Sequence, residues 1–290
     1  MPSPTAHSLP RAIHWPATLD LAQSVSGLIL ALFMWFHMCF VSAILVSQDA
    51  AWIVARFFEG YFVFGRALPW LVSIFVAIIS SLLAVHALLA LRKFPADWAQ
   101  YRAIGAHNRR MAHGDTLLWL VQVVTGFAMF FLAPVHLYTM MTRPELIGPF
   151  ESADRVWSGF YWPLYLILLF MVEIHGGVGL YRLALKWGWL PAGDSRAGRR
   201  RLALAKWALT AFFLILGLAS LGAYIKLGQE HALQAGEPYV PTWLRVEPAH
   251  QALRADHRFG ATGVVVVFVA DDKRVERFHA MCSQIGRDDA

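Results

Sequence analysis

The stretch Trp162–Trp187, WPLYLILLFMVEIHGGVGLYRLALKW, decides the fold. It is apolar for longer than the roughly 20 residues that a helix needs to cross a bilayer. Yet Glu173 and His175 stand deep inside it. An ionisable side chain at mid-membrane costs about 3 kcal/mol on insertion scales, so it marks a functional position by default. A single buried histidine would read equally well as a hydrogen bond to a neighbouring helix. The rest of the chain decides between those readings.

Of the 290 residues, 58% are hydrophobic, 14% aromatic and only 15% charged. The mean hydropathy is +0.49. Such a chain is a polytopic membrane protein rather than a soluble domain. Its formal charge of +6 does not require nucleic acid, because basic loops on one membrane face explain it. Two cysteines, Cys39 and Cys282, form no CxxC or CxxCH motif, so cysteine-held clusters and covalently attached haem have no support. Residues 1–19 lack the apolar core of a signal peptide and carry four prolines, which predicts an irregular arm.

Five segments are long enough to span, at about 20–46, 69–91, 115–141, 160–186 and 202–224. Backbone groups in lipid must be satisfied within the segment, so all five are expected to be helices. Ala51–Phe64 is aromatic but too short to cross, and reads as an interfacial or re-entrant piece. The loop after the second span holds Arg92, Lys93, Arg102, Arg109 and Arg110 against Asp97. That after the fourth holds Lys186, Arg196, Arg199, Arg200 and Arg201 against Asp194. Both are therefore expected inside, with the N-terminus cytoplasmic and the C-terminus periplasmic. Residues 229–290 form a polar tail on the outer side, left unassigned. Within it Gly263–Ala270 could be a strand followed by a helix, or part of a loosely ordered tail.

Only His37, His86, His136 and His175 of the twelve histidines lie inside spans, one on each of the first four. A b-type haem takes two axial ligands from facing helices, and two haems take four. Depth sorts them. His37 lies roughly 25 Å and His136 roughly 31 Å along helices that rise from the inside. His86 and His175 descend into the inner half. The expected pairs are His37 with His136 for an outer haem and His86 with His175 for an inner one. The first and third spans also share a spacing: Gln23, Ser26, Gly27, His37 and Gln122, Thr125, Gly126, His136. The small residues eleven positions before each histidine lie on its face, where they leave room for the inner haem. Lys93 and Arg182 each follow an inner ligand by seven positions, which suits haem propionates or ordinary snorkelling at a helix end. Gly176, Gly177 and Gly179 admit either a flat cofactor or another helix. Glu173 is about 200° around the helix from His175, pointing away from the ligand face. There it suits a proton relay or a protonated bond to a neighbouring helix. The chain thus reads as an all-α membrane protein of five transmembrane helices, the first four forming a haem-binding four-helix bundle.

The sequences GLILALFMWFHMCFVSAIL, AVHALLALRKFP, HGDTLLWLVQVVTGFAMFFLAPVHLYTMMTRPELIGPF and the stretch quoted above carry a specific resemblance. The chain resembles the dihaem cytochrome b subunit of quinol:fumarate reductase or succinate dehydrogenase, of the type found in Wolinella. The resemblance covers about residues 17–228, loops included. It implies a heterotrimer in the bacterial inner membrane and leaves a pairing of two heterotrimers open. A flavoprotein subunit with FAD would reduce fumarate, and an iron–sulfur subunit would carry electrons. This subunit would anchor both and oxidise menaquinol through two haem b groups ligated by His37, His86, His136 and His175. The resemblance implies that Glu59 is the quinol proton acceptor and Glu173 the acid of a transmembrane proton path. It also implies that Gln23, Ser24, Lys93, His113, Trp119, Arg155, Tyr165 and Lys186 surround the propionates. Two other readings compete. One is succinate:menaquinone oxidoreduction in the opposite direction. The other is a transporter or structural anchor without haem.

Overall fold

The computed structural model describes residues 15–94, 97–111, 114–189 and 196–245. Met1–Trp243 form one compact unit, and of the second unit only Leu244 and Arg245 are described. The strand and helix expected after residue 262 lie outside the described residues.

Every long apolar segment is helical, because lipid offers the backbone no other partner. The helices are α1 (Trp15–Val41, prolonged by a 3-10 turn at Ser42–Leu45), α2 (Gln48–Phe58), α3 (Tyr61–Phe64), α4 (Trp70–Leu91), α5 (Trp98–Met111), α6 (Gly114–Thr142), α7 (Pro149–Val156), α8 (Trp162–Lys186) and α9 (Arg196–Glu230). Five of them, α1, α4, α6, α8 and α9, are long and apolar enough to cross a membrane.

Two boundaries run past the apolar windows. Helix α1 starts five residues before Asp20, and α9 extends six residues beyond 202–224 at each end. The ends of α9 carry arginine, lysine, glutamine and glutamate, which continue a helix in water, and Pro16 in the first turn of α1 suits a helix start, so hydropathy alone misses these ends. Helices α5 and α7 occupy segments that the sequence reading treats only as charged loops. The second carries local start signals, with Pro149 in its first turn after Gly148 and Glu151 also in that turn. The Ala51–Phe64 piece is α2 and the single turn α3. Ser47 caps α2 by accepting the Ala50 N–H (2.9 Å), and Gly60, at φ +73°, turns the chain after it.

Helix α1 packs on α4 and α8, α6 on α4 and α8, and α9 lies against α8 and α1. Without a hydrophobic force between helices in lipid, close approach depends on small residues. A Cβ on Gly217 of α9 would lie 2.5 Å from Leu169 and 2.7 Å from Met38. One on Gly177 of α8 would lie 2.1 Å from Thr210 of α9. At one end of the bundle sits Asp20; at the other sit α2, α7 and the chain that follows α9.

Candidate functional site

The two histidines nearer the Asp20 end are each held by the opposite helix. From α4, the His86 Nδ1–H is 3.1 Å from Ser26 Oγ on α1 and also bonds the Gln23 carbonyl. From α8, the His175 Nδ1–H is 3.3 Å from Thr125 Oγ1 on α6 and 3.0 Å from the Gln122 carbonyl. Both hydroxyls donate to backbone carbonyls of their own helices, so each accepts from the imidazole. The proton is thereby fixed on Nδ1, and Nε2 keeps the lone pair that binds a metal. Glycine lets each ring lie against the opposing helix. A Cβ on Gly27 would be 2.8 Å from His86 Cε1, and one on Gly126 would be 2.9 Å from His175 Cε1. The shared spacing of α1 and α6 is therefore a pair of matching cradles: a carbonyl, a hydroxyl and a missing side chain. His86 and His175 lie near one another in the bundle.

The other pair is held differently. His37 of α1 and His136 of α6 face one another with ring centroids 6.1 Å apart. Phe33 stacks on His37 (5.7 Å) and Tyr165 meets His136 edge-on (5.4 Å). His136 Nδ1 is buried without a hydrogen-bond partner among the described residues. An imidazole nitrogen sits about 2 Å from a bound transition metal, so two rings sharing one metal have centroids about 6 Å apart. The observed separation fits a bis-histidine haem.

The basic residues divide between the two ends. Asp20 receives both Lys93 of α4 and Lys186 of α8, and Lys186 also donates to Ser24 Oγ (3.2 Å). Asp20 is a site residue that the sequence alone does not reveal, because its lysines lie 73 and 166 positions away in the chain. Arg182 donates to Gln122 Oε1 (2.5 Å), while Gln23 Oε1 is buried without a partner among the described residues. At the far end the Arg155 Nε–H donates to Tyr165 Oη (3.1 Å), joining Arg155 to the His136 ring. Trp119 is half-buried on α6, and His113 lies outside the described residues.

Glu173 is 2% exposed and lies where α1, α8 and α9 meet, bonded to Trp35, with Oε1 unpartnered among the described residues. Trp35 in turn stacks on Phe213 of α9 (5.2 Å). Of the three glycines after His175, Gly177 admits α9 and Gly179 approaches Gln122 Nε2 of α6, whereas a Cβ on Gly176 would meet nothing within 4 Å among the described residues.

Glu59 caps the C-terminus of α2, is 1% exposed and pairs with Arg56. Burial pushes its carboxyl above the usual range; the Arg56 charge opposes this and nearby Glu151 adds to it. A surface carboxylate paired with arginine would go the other way, so here desolvation wins. From Glu59's neighbour Phe58, rings run to Phe75 (5.8 Å), Phe33 (5.7 Å) and His37 (5.7 Å).

These features define an integral membrane protein with two pairs of half-buried histidines across a helical bundle. Residues 99–216 match the family model of the succinate dehydrogenase/fumarate reductase transmembrane subunit. The chain is 47% identical over 243 residues to a fumarate reductase cytochrome b subunit of Helicobacter pylori, covering 84% of this chain and 90% of that protein. It is 49% identical over 215 residues to that of Wolinella succinogenes, covering 74% and 84%. A succinate dehydrogenase hydrophobic membrane anchor subunit of Archaeoglobus fulgidus is 31% identical over 102 residues, 35% of this chain and 80% of that one. The chain belongs to the family of fumarate reductase and succinate dehydrogenase transmembrane subunits, as a membrane subunit of the fumarate reductase cytochrome b type.

Proposed function

We propose that this subunit binds two haem b groups, one between His37 and His136 and one between His86 and His175, and oxidises menaquinol beside the first. The observation that carries this reading is the pair of matching cradles, Gln23–Ser26–Gly27 and Gln122–Thr125–Gly126. Each leaves an imidazole with its proton on Nδ1 and its Nε2 free for iron.

When bound, the two haems supply one-electron carriers between the quinol and an iron–sulfur partner. The chain's residues do the rest. Lys93, Lys186, Ser24, Gln23, Trp119 and His113 serve the propionates of the inner haem or its surroundings. Arg155 and Tyr165 serve those of the outer one. Glu59 takes a proton from quinol, its carboxyl raised toward the working range by burial. Phe57, Phe58, Tyr61 and Phe62 line the approach of a flat ring. Glu173, buried away from the ligand faces, passes a proton across the membrane to offset the electron movement. The chain lies in the bacterial inner membrane with its N-terminus cytoplasmic and residues 229–290 periplasmic, and anchors a flavoprotein and an iron–sulfur subunit. The family description covers succinate dehydrogenases too, so the opposite direction, menaquinone reduction, is the second reading.

Optical spectra of the purified complex should show two low-spin b haems, and a single haem would sink the proposal. Glu59→Gln should abolish menaquinol oxidation with haem content intact, while fumarate reduction by an artificial donor continues. Because a base acts only when deprotonated, oxidation should rise with pH through the raised Glu59 pKa.

A further inference from the structure

One buried cluster is not used by this scheme. Glu151, in the first turn of α7, folds its carboxylate back over Gly148 so closely that a Cβ there would lie 2.0 Å from Oε2. Oε2 is buried with no hydrogen-bond partner among the described residues. The carboxylate does receive the backbone N–H groups of Glu151 itself and Tyr239. Tyr239 lies in the strap that follows α9, and the strap is pinned to α2: Tyr239 Oη (2.7 Å), Thr242 N (3.0 Å) and Thr242 Oγ1 (2.5 Å) all donate to Asp49. Arg56 pairs with Glu59, its charge reaches Glu151, and it lies over the buried Trp52 ring (5.4 Å). Trp52 meets Trp243 of the strap edge-on (5.7 Å).

We propose that Glu151 is a second proton-holding residue of the quinol site, sharing the Arg56 charge with Glu59. This rests on the reading that quinol is oxidised beside Glu59. Oxidation of one quinol breaks two O–H bonds and sends two electrons to the haems and two protons to bases. One carboxylate holds one proton. Two carboxylates around one guanidinium carry a net charge of −1, and become a neutral pair beside a cation when both are protonated. Glu59 is closed to solvent and Glu151 is partly exposed, so Glu151 is the side from which protons leave. Burial raises the Glu151 carboxyl, with Arg56 opposing and Asp154 adding to the shift. The charged groups facing the cluster are Arg56 and Glu59 from α2 and Asp154 from α7, the last held by His231 (2.9 Å) and the Gly236 N–H (2.8 Å).

The test uses the intact complex with Glu59→Gln, Glu151→Gln and Gly148→Ala. It reads haem content, oxidation of a menaquinol analogue across pH, and protonated-carboxyl bands by infrared difference spectroscopy. Glu151→Gln should keep both haems, slow oxidation about a hundredfold and remove one carboxyl band. It should also move the acidic limb to lower pH, because Arg56 then serves Glu59 alone. Gly148→Ala, which displaces the carboxylate without removing it, should move the limb the same way by less. A Glu151→Gln complex with wild-type rate, pH limb and bands overturns the inference. If that variant does not assemble, an unchanged limb in Gly148→Ala overturns it instead. A fully active Glu59→Gln complex would sink the quinol reading itself, whereas an inactive Glu59→Gln beside a normal Glu151→Gln would sink only this inference.

Discussion

The two histidine pairs lie in one bundle and are held by different physics. His86 and His175 are tied at Nδ1 by a hydroxyl and a backbone carbonyl from the helix opposite, and each ring fills the space of a missing side chain. His37 and His136 are held by packing against Phe33 and Tyr165, and His136 Nδ1 has no partner among the described residues. An acceptor on Nδ1–H fixes ring orientation and raises the basicity of Nε2. The first pair is therefore the rigid, strongly donating one. The second pair leaves its orientation to aromatic contacts, with Tyr165 held by Arg155 and a run of rings leading from His37 toward Phe58 beside Glu59. One fold thus supplies two different imidazole environments, which suits the proposed pair of electron carriers in series.

Ligand removal tests the pairing itself. His86→Ala or His175→Ala should lose one haem, and His37→Ala or His136→Ala the other. A spectrum in which His37 and His86 substitutions delete the same haem would break the comparison.

Filling the cradles is the next step down. Gly27→Val or Gly126→Val puts carbon within 3 Å of an imidazole, so the Asp20-end haem should be depleted or distorted while the other stays normal in spectrum. Equal damage to both would show that the two pairs are not independent.

Removing only the hydrogen bond should be gentler. Ser26→Ala or Thr125→Val leaves the ring in place and withdraws one acceptor, a change of about 1 kcal/mol. A weaker donor destabilises ferric iron, so the potential of that haem should rise by about 40 mV in redox titration. A shift confined to the other haem would reverse the assignment.

Smallest is the effect of freeing the strap. Asp49→Ala removes the acceptor of three donors and should speed proteolysis between residues 231 and 243, with both haem spectra unchanged. Altered spectra would mean that the strap supports the ligands as well as the carboxylates.

The spans, the four histidines and the buried Glu173 were legible because each breaks or obeys a pattern along a single helix. Lipid admits only helices, and a charge inside one stands out. The repeated Gln, Ser/Thr and Gly spacing was also visible, but its reading was incomplete. Small residues could be read as room for a cofactor; that they hold the histidines of α4 and α8 depends on which helices face each other, and periodicity within one helix carries no such information. The helix at Pro149–Val156 was hidden for a related reason: eight residues with mixed charge give no usable period.

What the sequence alone determined is therefore the set of helices and the chemistry placed on each. Tertiary structure alone decided the partners: Ser26 with His86, Thr125 with His175, Trp35 with Glu173, and Asp20 with both lysines. It also decided that Glu59 is sealed from solvent although it carries an arginine three residues away in the chain. Burial and pairing arise from atoms far apart in the chain, so a sequence read one helix at a time does not contain them.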